Sequence, residues 1–452
     1  MNHIYFIAIG GAGMSAIARV LLAKGYKVSG SDVKENEATS RLRKLGATIY
    51  LGHRAENLEP TVDLIVISSA IHEDNPEVQE GRRRNLPIVH RSDVLAQLLN
   101  GARGVAVAGA HGKTTTTSMI GLAFEAAGLR PTILVGGEVL DFGGNALVGN
   151  GDYLIAEADE SDGSFLKLKA KVAVATNIDN DHLDYWKTTE ALRQAFREYL
   201  QNVKPDGYAV VCNDDALLRG MVPQLRVPVV TYGLTPGAKV SATEIHLDRW
   251  GSKFTLSVDG LRLRRVSLSV PGLHNVQNSL AAFAVSLRES LPLDRVQSAL
   301  ENFKGVDRRL QKIAEVNGIT VMDDYAHHPT EIQASLAAIR LAGFNKVIVI
   351  FQPHRYSRTR ILAEQFGKAF DQADLVIIAP IYAGPGERVI PGVSSRLIVD
   401  SIREHGGRVL FAEDLEEICK LAVENAGKGD VIVTMGAGDV WKAGKTLQEM
   451  LQ

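Results

Sequence analysis

The chain has 452 residues, which at ~150 residues per domain implies about three domains. Hydrophobic residues make up 45% and charged residues 23%, values that exclude a disordered or fibrous chain. With 50 Lys and Arg against 52 Asp and Glu the net charge is −2, so nothing global favours nucleic acid or an anionic membrane as a partner.

Residues 4–23 are mostly apolar, but Arg19 interrupts them and Gly10, Gly11 and Gly13 sit mid-run. They read as strand, turn and helix rather than as a signal peptide. HIYFIAIG (3–10), MSAIARVLLAKG (14–25), KVSGSD (27–32), SRLRKLG (40–46) and DLIVISSA (63–70) alternate strand and helix. That rhythm predicts a parallel sheet covered by helices. A second start follows at 104–124, GVAVAGAHGKTTTTSMIGLAF, with strands at 153–160 and 172–178, short β runs over 207–270 and a helix over 274–287. GVDRR (305–309) reads as a hinge into a third unit with strands at 318–325, 346–351, 374–380 and 430–436. The expected domains are 1–100, 101–305 and 306–452. No run of ~18 apolar residues predicts a spanning helix. The two cysteines, Cys212 and Cys419, lack metal-type spacing and fit a reducing cytoplasm.

Gly11-Ala12-Gly13-Met14-Ser15-Ala16 follows a strand and opens a helix, in the pattern G-x-G-x-x-[G/A]. Such glycines allow a phosphate close to the backbone, and the helix N-terminus favours its charge. Asp32, at the end of the next strand, is placed to bind a ribose hydroxyl. NAD and a UDP-sugar both fit this loop.

The second loop, Gly109-Ala110-His111-Gly112-Lys113-Thr114, carries more information. Its N–H groups would cradle phosphates, Lys113 would reach the β/γ oxygens and Thr114 would bind Mg²⁺. The full P-loop glycine is replaced by Val107, so the match is to a shorter G-x-x-G-K-T form. Thr115, Thr116 and Thr117 are poor helix formers, which suggests that some of these hydroxyls have a job. The run Glu157–Asp162 closes an apolar strand, a natural source of oxygen ligands for magnesium. His182, in the run 176–184, is a candidate metal ligand or substrate contact.

GAHGKTTTT (109–117), DESDGSF (159–165), TNIDNDHLDYW (176–186), HNVQNSLAA (274–282), DDYAHHPTEI (323–332) and FQPHRYSRT (351–359) together resemble the Mur ligases of peptidoglycan synthesis, in order and across all three units. The resemblance is strongest to the member that adds L-alanine. It implies an α/β protein of three domains: N-terminal Rossmann-like, central P-loop ATPase-like and C-terminal Rossmann-like. It implies ATP and Mg²⁺, with UDP-N-acetylmuramate and L-alanine as substrates, no nucleic acid or membrane partner, a monomer or homodimer, and a cytoplasmic location. The lactyl carboxylate of the sugar would attack the γ-phosphate of ATP to give an acyl phosphate. The alanine amine would then displace phosphate.

Carried over by motif, Gly109, Ala110, His111, Gly112, Lys113, Thr114 and Thr115 would hold the nucleotide. Thr114, Glu160 and His182 would serve the metal. His274 and Asn278 would meet the adenine side, and Arg309 and Asp324 would reach the nucleotide from the third domain. Tyr325, His327, His354, Arg355 and Arg358 would surround alanine and the reacting carboxylate, with His327 or His354 as base for the amine and Arg355 or Arg358 as clamp for the alanine carboxylate. Gly11, Gly13, Ser15, Asp32 and Ser69 would line the uridine site.

Two departures from the family pattern stand out. Ala110 occupies a position where the family usually has threonine. Sister ligases use a carbamylated lysine after the metal histidine, but Arg193 and Arg197 occupy that stretch, with no lysine between Lys187 and Lys204. That modification is not expected here.

Three other readings compete. An NAD-dependent oxidoreductase leaves the second loop unused. A P-loop ATPase motor would hydrolyse ATP without sugar or amino acid. A sister ligase would attach a preformed peptide to UDP-N-acetylmuramate in wall recycling.

Overall fold

The computed structural model describes residues 2–179, 183–384 and 387–452. Three sheets organise the chain, each built around parallel strands. The first runs Thr48–Leu51, Lys27–Asp32, His3–Ile7, Leu64–Ile67, Ile88–His90, all parallel. The sheet order reverses around His3–Ile7, which places the loop after that strand at a switch point, where open α/β sheets bind ligands.

The second sheet has ten strands. Its parallel middle runs Val240–Asp248, Val229–Gly233, Val203–Cys212, Ala170–Ala175, Arg103–Ala108, Tyr153–Glu157, Thr132–Val139. Gly144–Leu147 is antiparallel at one edge. The third sheet has six strands, five of them parallel, with Gln311–Val316 antiparallel at the edge.

The sequence explains these layers. Strands covered on both faces read as continuous apolar runs, as in Val347–Phe351 (VIVIF), which is buried throughout. Helix Ala12–Ala23 buries Met14, Ile17, Ala18 and Leu21 in the first core and exposes Lys24 beyond its end. The third sheet has a separate core on each face.

The chain packs as two compact units. One comprises Met1–Glu244, Phe254–Val266 and Val276–Lys304; the other comprises Ile245–Lys253, Ser267–Asn275 and Gly305–Gln452. The first unit therefore contains the first sheet and most of the second. Inside it, the hairpin Thr132–Leu147 docks on helix Ala12–Ala23. Arg19 donates to the Ala146 carbonyl at 2.6 Å, and Asn145 donates to the Ala12 carbonyl at 2.7 Å and to Ser15 Oγ at 2.9 Å. Among the described residues no helix is long and apolar enough to cross a membrane.

Candidate functional site

The second glycine loop joins strand Arg103–Ala108 to helix Lys113–Ala126. Two of its glycines are obligatory. Gly109 has φ 144°, and a Cβ there would stand 1.9 Å from Thr176 Oγ1. Gly112 has φ 79°, and its Cβ would meet Asn278 Oδ1 at 2.7 Å. The neighbouring loop grips this one. The Ala110 N–H donates to the Asn177 carbonyl at 3.2 Å and the His111 N–H to Asn177 Oδ1 at 2.9 Å. Thr176 and Asn177 in turn donate to the His111 carbonyl at 2.7 and 3.0 Å.

Lys113 folds back over its own loop. Its ammonium donates to the Gly109 carbonyl at 2.5 Å and to Glu160 at 2.8 Å. Burial, the largest single influence, would lower its pKa, but the Glu160, Asp159 and Glu157 carboxylates together outweigh it and the net shift is upward. Glu157 shifts up because it is buried, against the Gly136 N–H at 2.6 Å, Lys113 and a hydrogen bond from Thr114. Asp159 goes the other way. Burial would raise it, but Ser161, Arg91 and Lys113 hold it at about 2. Trp186 Nε1 donates to the Glu160 carbonyl at 2.8 Å, which fixes the acidic loop from behind. Thr114, Glu157 and Glu160 thus offer a hydroxyl and two carboxylates beside a phosphate cradle, a hard-oxygen set suited to magnesium. His111 reaches Asp179 at 3.0 Å. Of the helical threonines, Thr116 donates to Asn278 at 3.1 Å, while Thr115 is simply buried.

In the first glycine loop, side chains turn back onto the backbone. The tightest glycine is Gly10, where a Cβ would clash with Asn36, Asp32 and Thr39. Asp32 is 7% exposed and turns back onto the loop, accepting the Gly10 N–H at 2.8 Å. Gly11 has room for a side chain, whereas Gly13 faces the Arg91 guanidinium. Ser15 is buried against Asn145 and the Ala12 carbonyl. Ser69 contacts His90 at 3.1 Å and Asp162 at 3.3 Å, facing the acidic loop.

The second unit gathers its own set. Asp324 is buried and its carboxyl is pushed up to about 6 by desolvation, although the Leu310 and Ala326 N–H groups bond it at 2.8 and 2.7 Å. Arg309 lies over the Tyr325 ring and 3.5 Å from Glu331. His327 Nδ1 faces the Tyr325 carbonyl at 2.9 Å and Glu331 at 3.3 Å. Both are acceptors, so Nδ1 carries a proton, and in the neutral ring Nε2 carries the lone pair. His354 is the opposite. Arg358 can only donate, and it reaches His354 Nδ1 at 3.2 Å, so the proton sits on Nε2. Arg355 is exposed and holds φ 71°, unusual for a side chain of its size. His274 belongs to this unit, and burial followed by the charge of Arg309 lowers it to about 4. Asn278 belongs to the first unit.

Three family models cover the chain in sequence. They are the Mur ligase family catalytic domain at 3–103, the Mur ligase middle domain at 107–286 and the Mur ligase glutamate ligase domain at 308–438. The chain belongs to the Mur ligase family. A UDP-N-acetylmuramate–L-alanine ligase of Pelotomaculum thermopropionicum is 48% identical over 100% of this chain and 98% of its own length. The enzyme of the same name from Geobacter sp. strain M21 is 45% identical over 99% and 97%. Among solved structures, the UDP-N-acetylmuramate–alanine ligase of Thermotoga maritima superposes with a TM-score of 0.84 at 32% identity, covering 100% of this chain and 99% of that one. A murein peptide ligase from Psychrobacter arcticus superposes less well, with a TM-score of 0.74 at 25% identity, covering 100% and 99%. The three-domain α/β architecture expected from the motifs is the one found.

In this Mur ligase, Lys113, Thr114, Glu160 and Asn278 lie at or beside the second loop. His182 lies outside the described residues. Sequence reading missed Arg91, Asn177 and Glu331. Glu331 had a local signal, because His328 and Glu331 form a capping box at the start of helix Pro329–Leu341. Arg91 had only its position just after a strand end.

Proposed function

We propose that this chain joins L-alanine to the lactyl carboxylate of UDP-N-acetylmuramate with conversion of ATP to ADP and phosphate. The observation that carries the reading is the full-length identity of 48% to a ligase with that printed activity, together with a phosphate cradle whose lysine is paired to an acidic loop. The lower TM-score of the murein peptide ligase makes the recycling reading second.

The chemistry needs what these residues offer. A carboxylate attacking a triphosphate brings anion to anion, so cationic groups must screen both partners. Lys113 is the group assigned to the phosphates, after exchanging its Glu160 contact for them. Thr114, Glu157 and Glu160, with His182 by motif, are the residues assigned to hold Mg²⁺. When bound, the ion would supply charge neutralisation at the phosphate oxygens. His327 is the preferred base for the alanine amine, because its Nε2 carries the lone pair while Glu331 orients Nδ1–H. His354 presents N–H at Nε2 and is assigned to orient substrate with Arg358. Arg355 and Tyr325 remain assigned to the alanine and carboxylate end, and Arg309, Asp324 and His274 to the nucleotide. Gly11, Gly13, Ser15, Asp32 and Ser69 are assigned to shape the UDP end, Asp32 and Ser15 by holding the loop. Domain boundaries near 100 and 306, and a cytoplasmic location, complete the reading.

The test is to incubate the protein with ATP, Mg²⁺, UDP-N-acetylmuramate and either alanine, a panel of other amino acids or a preformed tripeptide, and to weigh the products. Alanine adduct is expected. A small pocket separates substrates that differ by one methyl by only ~1–3 kcal/mol, so weak glycine or serine adducts are also expected. Tripeptide adduct without alanine adduct would transfer the assignment to the recycling ligase.

A further inference from the structure

We propose that Arg91 is a positioning residue that ties the diphosphate of the UDP-sugar to the acidic loop at Asp159, so that filling the first glycine loop tightens the ATP site. This rests on the reading above of the first loop as the UDP-sugar site. Arg91 opens helix Arg91–Asn100, directly after strand Ile88–His90 at the carboxyl edge of the first sheet. One arm of its guanidinium lies over the first glycine loop. A Cβ on Gly13 would stand 3.0 Å from Nη1 and 3.6 Å from Cζ. The other arm, Nη2, donates to Asp159 at 2.8 Å.

A guanidinium has five N–H donors in a fixed fork. Among the described residues the bond to Asp159 is the one hydrogen bond that the Arg91 side chain makes. The Nη1 arm beside Gly13 keeps its donors for a phosphate, and the geometry of the fork suits one. Gly13 is thus small because an arginine, and not only a ligand, approaches it.

The link continues toward the second loop. Asp159 is braced by the Ser161 N–H at 3.0 Å, and the next residue, Glu160, holds Lys113 at 2.8 Å. A second strut runs alongside it, from His90 through Ser69 to Asp162 at 3.1 and 3.3 Å. A diphosphate on Nη1 would leave Nη2 on Asp159 and fix the side chain at both ends. The acidic loop is then ordered, and a site already ordered binds its ligand more tightly. By linkage, ATP must strengthen UDP-sugar binding by the same factor.

Calorimetry on the full chain tests this, with UDP-N-acetylmuramate titrated alone and against a saturating non-hydrolysable ATP analogue with Mg²⁺. The wild type is expected to bind the sugar nucleotide at least about fivefold more tightly with the analogue present. Arg91→Met should weaken UDP-sugar binding and erase the difference. Asp159→Asn should keep UDP-sugar binding within about twofold in the absence of analogue and still erase the difference, a combination that simple misfolding does not produce. Wild type without coupling, or either variant with coupling intact, overturns the relay alone. Wild type that does not bind UDP-N-acetylmuramate overturns the reading of the first loop and the relay with it.

Discussion

Lys113 donates to Glu160 across 2.8 Å and to the carbonyl of Gly109 in its own loop. The lysine thus lies over its own loop, with Glu160 as its counterion. Lys113→Met should lower the rate of ligation at least ~10²-fold, while UDP-N-acetylmuramate binding measured by calorimetry stays nearly unchanged. Loss of UDP-sugar binding in the variant would mean that the two nucleotide pockets are not separate.

Gly109 offers a sharper structural test. A methyl group there meets Thr176 Oγ1 at 1.9 Å, on a backbone at φ 144°. Gly109→Ala should cost at least about 2 kcal/mol in urea unfolding, from strain and lost packing. Gly11→Ala should change stability little, since its nearest neighbour would be at 3.5 Å.

The two histidines of the second unit should separate kinetically. His327→Gln should lower kcat by about 10²-fold or more with little change in KM for alanine, as expected for loss of a base. His354→Gln should act mainly on KM, through the partner it gives Arg358. Equal effects of both variants on kcat would contradict the tautomer argument.

His274 predicts a pH dependence of stability. Its folded pKa of about 4 lies below the ordinary histidine value of 6.5, because burial disfavours the charged ring and Arg309 adds to the effect. A depressed pKa means that the stabilisation is fully present above the unfolded pKa. It is then lost as pH falls from about 6.5 through about 4, and amounts to roughly 3 kcal/mol. His274→Phe should flatten that part of the curve of unfolding free energy against pH. An unchanged slope between pH 6.5 and 4 would contradict the account.

The legible parts of this molecule were local. The apolar run VIVIF at 347–351 and the strand–loop–helix of 104–124 announce themselves, because buried parallel strands leave no polar face. Short strands such as Thr48–Leu51 and Ile88–His90 did not, since three or four residues give no periodicity. The hairpin Thr132–Leu147 was missed because the contacts that hold it reach helix Ala12–Ala23, far away in the sequence. At the site, Lys113 and Glu160 were legible from motif chemistry. Arg91 was not: its meaning comes from Gly13 and Asp159, 78 positions before it and 68 after. Asp32 was read as the strand-end acid for a ribose hydroxyl; one of its oxygens accepts the Gly10 N–H, a contact that spacing alone does not reveal.

The most direct test of the account is isotopic. UDP-N-acetylmuramate labelled with ¹⁸O in its lactyl carboxylate is turned over with ATP and alanine, and the released phosphate is weighed. Attack of the carboxylate on the γ-phosphate predicts one labelled oxygen in each phosphate, dependent on Lys113. Unlabelled phosphate, with the amide still formed, would contradict an acyl-phosphate route through this site.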